Sequence, residues 1–423
     1  MSNDREIRST GPLLVAAGLV VIGAIAKAAQ SGIIDPGAAL AFVAFIALGE
    51  ILRITLPGSR QSAPLAAAGA LAFALLPAPD RISDLPYSVA LAVSVVTVGS
   101  IVGAFPSALV GRGMHLDELA RRVLTTLFAA TMFGQIYPHV MPKGTETAWK
   151  LALAMTVTAA LAAAVDAVLA AAVRGTQSHA PFRTAVVDEF RALLGISSAI
   201  AATGVLIALA TPKMGLWALP VFAVPLLLTQ FAFRRYAAID ATYLQTIRSL
   251  SKVTEVGGYT ETGHSRRVSR LAVTIGREMG VSERDLTDLE YAALMHDIGQ
   301  LSLPEPIPGG ATTMVSYVDQ RRIAELGAEV IRQAGVLDRA ALIVERQADP
   351  YRPHRGQLDT TLPLESRIIK AVNAYDDLVG ASLESDRKLR AIERLQLGID
   401  REFDPGVVDT LSRIIERQTE YAY

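Results

Sequence analysis

A histidine and an aspartate stand side by side in LMHDIGQLSLP, where His296 and Asp297 close an apolar stretch that reads as a helix. Adjacent helical residues project about 100° apart, so both can reach one cation only where the helix is ending. Gly299 permits the sharp turn and close approach that such an ending needs. His264 opens the preceding amphipathic stretch and Asn373 lies on a later one. If the three helices converge, His264, His296, Asp297 and Asn373 offer imidazole nitrogens, a carboxylate and an amide oxygen to one divalent ion, a set suited to Mn, Fe, Zn or Mg. An ion so held polarises a phosphoryl oxygen and activates water. The implied chemistry is phosphoester hydrolysis, with His296 and Asp297 as the catalytic pair. A structural alternative assigns His264 to capping its helix and Asp297 to accepting backbone hydrogen bonds, and spacing leaves both readings open.

The elements that must position these residues read as all-α. HSRRVSRLAVTIGREMG places Val268, Leu271, Ala272 and Ile275 on one face, with Gly280 as its stop. SERDLTDLEYAALMHDIG follows, with Ser282 as N-cap and Asp285 in the first turn. PLESRIIKAVNAYDDLVG carries a buried stripe through Leu364, Ile368, Val372 and Tyr375. No sustained alternation announces strands.

Composition divides the chain. It has 423 residues, of which 51% are hydrophobic and 19% charged, and the apolar excess falls before about position 235. Boundaries at 1–233 for a transmembrane helical domain, 234–255 for a helical connector and 256–423 for the helical domain bearing the site follow from that shift. A hydrocarbon core about 30 Å thick needs roughly 20 apolar residues per helix. By that measure the chain offers about eight spans, near 11–30, 37–56, 63–78, 86–110, 122–141, 149–173, 191–211 and 214–233. Arginines gather in alternate loops, which places both termini and the C-terminal domain in the cytoplasm. Lys27 and Glu50 are expected to snorkel from helix ends. Asp166 lies deeper and is the one feature that favours a transporter. Pro220 and Pro225 are expected to kink the last span.

The connector keeps an apolar stripe through Ala238, Tyr243, Ile247, Leu250 and Val253. It could pair with its copy in a homodimer or pack on its own domain. A formal net charge of -1 supplies no clustered positive surface, so nucleic acid is not an expected partner. With no cysteine, thiolate catalysis and cysteine metal sites are excluded.

Four segments, TETGHSRRVSRLA, LEYAALMHDIGQLSLPE, IAELGAEVI and LPLESRIIKAVNAYDDLVG, occur in this order over about 250 to 417. In order and spacing they resemble the HD superfamily of metal-dependent phosphohydrolases, and within it the HD-GYP branch, whose active members cleave cyclic di-GMP. The resemblance implies metal ligands at His264, His296 and Asp297, with Asn373 standing where the family has its last aspartate. It also marks departures. Gln300 replaces a lysine, Ile323 replaces a metal histidine, Val344 and Glu345 fall near the paired histidines, and GYP itself is missing. What the resemblance leaves is at most a one-metal site.

A basic cluster, Arg346, Arg352, Arg355, Arg367 and Lys370, could hold substrate phosphate or be solvated surface. The LPEPIPGGATT loop could cover a substrate or simply connect. His354 reads as a loop histidine, and no role falls to His115, His139 or His179. Two functions compete: a membrane-bound phosphohydrolase of a nucleotide or cyclic dinucleotide, and an inactive HD-type sensor or adaptor that binds a nucleotide or protein partner.

Overall fold

Runs of Ala, Leu and Val without charge form helices because straight-chain and methyl side chains lose little freedom there, and in lipid the backbone must bond to itself. The computed structural model describes residues 2–33, 35–56, 60–77, 88–110, 115–140, 148–178, 181–303, 305–307, 311–312, 315–335, 337–353, 358–382 and 384–420. The chain divides into two compact units, Met1–Gln177 with Ala185–Ala238, and Ser178–Thr184 with Ile239–Tyr423.

The first unit contains α1 (Ser2–Ser31), α2 (Pro36–Ile51), a ribbon of β1 (Ile54–Leu56) and β2 (Arg60–Ser62), α3 (Pro64–Ala74), α4 (Val89–Leu109), α5 (Leu116–Val140) and α6 (Ala148–Ser178). Next come α7 (Phe182–Ala192), α8 (Ser198–Met214) and α9 (Ala218–Val256); both α7 and α9 hold residues of both units. The antiparallel ribbon, Ile54 against Ser62, is a small departure from the all-helical expectation. Among the described residues, four stretches are long and apolar enough to cross a membrane: Gly11–Ser31, Val89–Leu109, Ala148–Gly175 and Gly195–Val256. The count of about eight is not confirmed among the described residues. The 16 residues of α2 and 11 of α3 rise only about 24 and 17 Å. The first turns of α5 carry Asp117, Glu118, Arg121 and Arg122. The two spans expected at 191–211 and 214–233 merge into one apolar stretch.

Close approach in this unit is set by glycine. A Cβ on Gly103 of α4 would meet the Ala47 carbonyl oxygen of α2 at 2.4 Å. Glu50, also on α2, does not snorkel: it is buried and bonded to Arg122 of α5. Arg122 also donates to Ser100 Oγ at 3.1 Å and to Glu118 at 2.9 Å, and Arg53 lies 3.4 Å from Glu50. Asp166, for its part, receives the fork of Arg121 at 3.1 and 2.7 Å. Asp166 is half-exposed, and its carboxylate is paired with that guanidinium. Only Pro225 lies inside α9; Pro220 falls in its first turn, where the missing amide hydrogen has no partner to lose.

The second unit continues with α10 (His264–Glu278), α11 (Glu283–Met295), α12 (Tyr317–Arg332), α13 (Asp338–Glu345), α14 (Leu364–Val379), α15 (Ser385–Gln396) and α16 (Pro405–Glu420). Ser282 Oγ accepts from the Asp285 amide at 3.3 Å, as its position in the sequence implies. Gly280 has φ +80°, a left-handed conformation that costs glycine nothing. Val268, Ala272 and Ile275 of α10, Leu289 and Ala292 of α11, and Ile368, Val372 and Tyr375 of α14 share one core. That core holds α10, α11 and α14 together and so fixes the helix ends that carry His264 and His296 and the face of α14 that carries Asn373.

Candidate metal centre

His264 is the first residue of α10, His296 ends α11, and Asp297 begins the single 3-10 turn Ile298–Ser302 that follows. All three are buried, and each offers one ligand atom to a common point. His264 Nε2 lies 3.3 Å from His296 Nε2 and 3.3 Å from Asp297 Oδ2, while His296 Nε2 lies 3.2 Å from the same oxygen. Asn373 Oδ1, from α14, is 3.2 Å from His296 Nε2.

The hydrogen bonds on the far sides of these groups decide what points inward. His264 Nδ1–H donates to Asp376 Oδ2 at 2.8 Å, and His296 Nδ1–H donates to the Ala293 carbonyl at 2.9 Å. Each ring therefore turns its Nε2 lone pair to the centre. Asn373 Nδ2 donates to Thr312 Oγ1 at 3.0 Å, which fixes its amide with the oxygen inward. With both rings neutral, four acceptors face one another, and Asp297 Oδ2 is left without a hydrogen bond unless a proton occupies His264 Nε2. Such a group is costly unless a cation or proton sits between its members. Tetrahedral ligands at about 2.0–2.1 Å from a metal are about 3.3–3.4 Å apart, close to the separations found. On geometry and donor chemistry, these residues fit a divalent ion.

The structural alternative fares less well. Gly263 is the N-cap of α10, and no side chain caps it. Asp297 is the N-cap of its short turn and makes no side-chain capping bond. Burial alone would raise the Asp297 pKa, but the neighbouring His296 and His264 outweigh it and hold the carboxyl below its ordinary range. Gln300, fully buried, adds a hydrogen bond to that carboxylate.

Support for the cluster comes from residues that spacing alone did not single out. Asp376 lies one helical turn beyond Asn373 on the same face and binds both His264 and Arg267, whose Nε and Nη2 each reach it at 2.9 Å. Arg267 lies one turn beyond His264, and Glu261 receives its Nη2 at 2.6 Å. The signal in both cases is an i, i+3 offset from a candidate ligand. Gln347 donates to the His296 carbonyl at 2.7 Å.

Gly299 performs the close approach expected of it, since a Cβ there would lie 2.0 Å from the Ile323 carbonyl oxygen of α12. Ile323 and Val344 are buried apolar residues, and Glu345 is bonded to Arg332. The four basic residues are each paired within the unit: Arg346 with Asp349 and Asp359, Arg352 with Asp400 at 2.9 Å, Arg367 with Asp404 at 2.6 Å, and Lys370 with Glu402 at 3.1 Å. Arg355, His354 and His179 lie outside the described residues, as do Pro304, Pro308, Gly309 and Gly310 of the expected covering loop. A cleft of about 340 Å³ opens beside the cluster, lined in part by Glu261, His264, Asp376, Asp377, Ser382 and Arg387.

Residues 250–407 match the family described as HD domain. Over 193 residues the chain is 29% identical to the cyclic di-GMP phosphodiesterase response regulator RpfG of Xanthomonas campestris pv. campestris, covering 43% of this chain and 51% of that protein. Over 207 residues it is 23% identical to a cyclic di-GMP phosphodiesterase of Thermotoga maritima, covering 46% and 55%. The chain spans about half the length of the curated relatives it matches.

Proposed function

Residues 250–407 belong to the HD superfamily, and from that premise we propose that this chain is a membrane-anchored, metal-dependent phosphohydrolase that cleaves a phosphodiester of a nucleotide or cyclic dinucleotide in signalling. The observation that carries this reading is the inward set of His264 Nε2, His296 Nε2 and Asp297 Oδ2, three acceptors within 4.8 Å of one another. A divalent cation there supplies Lewis-acid activation of a phosphoryl oxygen and of water. The protein's own part is positioning. Asp376 and the Ala293 carbonyl hold the two imidazoles in the ligating tautomer, and Asn373 adds a neutral fourth donor. His296 and Asp297 are the residues on which turnover depends, and the cleft beside His264 admits the substrate. The names of the two relatives favour a cyclic dinucleotide. The experiment is metal analysis of the purified full chain together with hydrolysis of cyclic di-GMP in Mn²⁺; a chain that holds no ion and turns nothing over across a nucleotide panel refutes the proposal.

One observation favours a second reading, an HD-type sensor that binds without cleaving. The fourth donor is an amide, and apolar Ile323 and Val344 stand where the resemblance puts histidines. Asn373→Asp separates the two readings. Restoring a carboxylate raises metal affinity by about tenfold or more, and turnover rises with it if the parent is an enzyme of weak metal affinity. Cyclic di-GMP binding that survives loss of both His296 and Asp297 marks the sensor.

Protons and cations compete for the same lone pairs. Burial by itself lowers the His264 pKa, but its hydrogen bonds to Asp297 and Asp376, and their charges, outweigh burial and raise it to about 10. Below that pH an incoming cation must displace a proton, so affinity increases with pH, by roughly tenfold per unit between about pH 6 and 9. Calorimetric titration with Mn²⁺ in buffers of different ionisation enthalpy should show about one proton released per ion; pH-independent affinity contradicts the assignment. Asp376→Asn keeps the shape but weakens the support of His264, and metal affinity should fall by about 10–100-fold. An unchanged titration curve would remove Asp376 from the site.

A further inference from the structure

The connector carries two apolar stripes where the sequence reads as one. Ile247, Ser251 and Thr254 are buried, with Leu244 packed against the core of the second unit. Ile239 (56% exposed), Tyr243 (47%), Leu250 (41%) and Val253 (46%) point away from it, and exposed Thr246 lies among them. The outward set recurs at offsets of four, three, four and three residues, a heptad with Tyr243 and Leu250 at a and Ile239, Thr246 and Val253 at d. A strict seven-residue repeat keeps one seam facing a partner that is also a helix and supercoils with it.

We propose that this stripe is the seam of a parallel, in-register homodimer in which α9 pairs with α9 of a second copy. The pattern argues for that occupant: Arg248, Lys252 and Glu255 fall at f, c and f, off the seam, and a stripe of strict seven-residue repeat suits a helix carrying the same repeat, which a second copy supplies. Two and a half heptads are short for association in free solution. Resting on the reading of the N-terminal half as membrane-embedded, copies in one bilayer emerge at one level and in one direction, which supplies the effective concentration and the parallel register.

The absence of native cysteine makes the test clean. Single substitutions Ile239→Cys, Thr246→Cys and Val253→Cys at d, and Gln245→Cys and Lys252→Cys at c, are made in the full chain and oxidised in carbonate-washed membranes. A disulfide needs Cα atoms about 4.4–6.8 Å apart. The expected result is a dimer yield at 239, 246 and 253 several-fold above that at 245 and 252. Three outcomes overturn the proposal: equal yields at c and d; bridging at 246 without 239 and 253, which marks an antiparallel crossing; and no bridging, with cysteines at 239 and 253 shielded from a water-soluble maleimide, which assigns the stripe to lipid or another protein. If the chain washes out of the membrane, it is the membrane reading that fails, and the seam is then judged from the same cross-links on the soluble chain.

Discussion

Replacing Asp297 with alanine in the proposed metal-dependent phosphohydrolase is expected to abolish metal binding and to lower phosphodiester hydrolysis on the order of a thousandfold. The reason is charge. His264, His296 and Asn373 are neutral when they ligate, so Asp297 is the one anionic donor in the cluster. The substitution should also cost about 1–3 kcal/mol of stability in metal-free protein, because His296 and His264 hold the Asp297 carboxyl below its ordinary range and its removal leaves the His264 proton without that partner. Loss of metal and turnover identifies a ligand, because a merely structural aspartate loses stability with function spared. Metal content and turnover within a few-fold of the parent, or a large loss of stability with function spared, would rule out the ligand role. Inductively coupled plasma analysis, a cyclic di-GMP hydrolysis assay and denaturant unfolding of the same preparations separate these results.

The sequence made the candidate ligands legible and left their supports obscure. His264, His296 and Asp297 stand out because an imidazole or a carboxylate at the end of an apolar helix is expensive to bury without a use. Asp376 carries the same chemistry, but in YDD it reads as one more charge on a helix surface, and only the packing of α14 against α10 turns it inward. The partners of the basic cluster were equally hidden. Arg346, Arg352, Arg367 and Lys370 lie close in sequence, whereas the acids that meet them, from Asp349 to Asp404, come from turns and loops whose positions no periodicity encodes. The apolar half shows a similar limit. Hydropathy found its apolar runs, but helix length and the charges at the start of α5 leave four stretches among the described residues long and apolar enough to cross a membrane, and the partners of Glu50 and Asp166 come from helix packing that no periodicity encodes.

Gly299→Ala is expected to cost about 3 kcal/mol or more and to disable the centre without touching a ligand. The added methyl would stand 2.0 Å from the Ile323 carbonyl oxygen and 2.8 Å from the Gly327 amide nitrogen. Both are backbone atoms in the interior of α12, so no side-chain rotation relieves the clash; the 3-10 turn or α12 must move as a body. Overpacking of ordinary side chains costs about 1–3 kcal/mol, and a contact against fixed backbone belongs at or above the top of that range. The movement has a direction. Gly299 follows Asp297 by two residues, and Gln300, which hydrogen-bonds to that carboxylate, is its neighbour. Pushing the turn off α12 therefore carries Asp297 Oδ2 away from the two Nε2 atoms, and separations of 3.2–3.3 Å leave little slack for a cation. Metal affinity should fall together with the unfolding free energy. Gly327→Ala provides the comparison, because its Cβ would meet nothing closer than the Gly299 amide nitrogen at 3.2 Å. It should cost less on both measures; equal losses for the two alanines, or a Gly299→Ala chain that binds Mn²⁺ normally, would show that close packing of this turn on α12 does not set the geometry of the site.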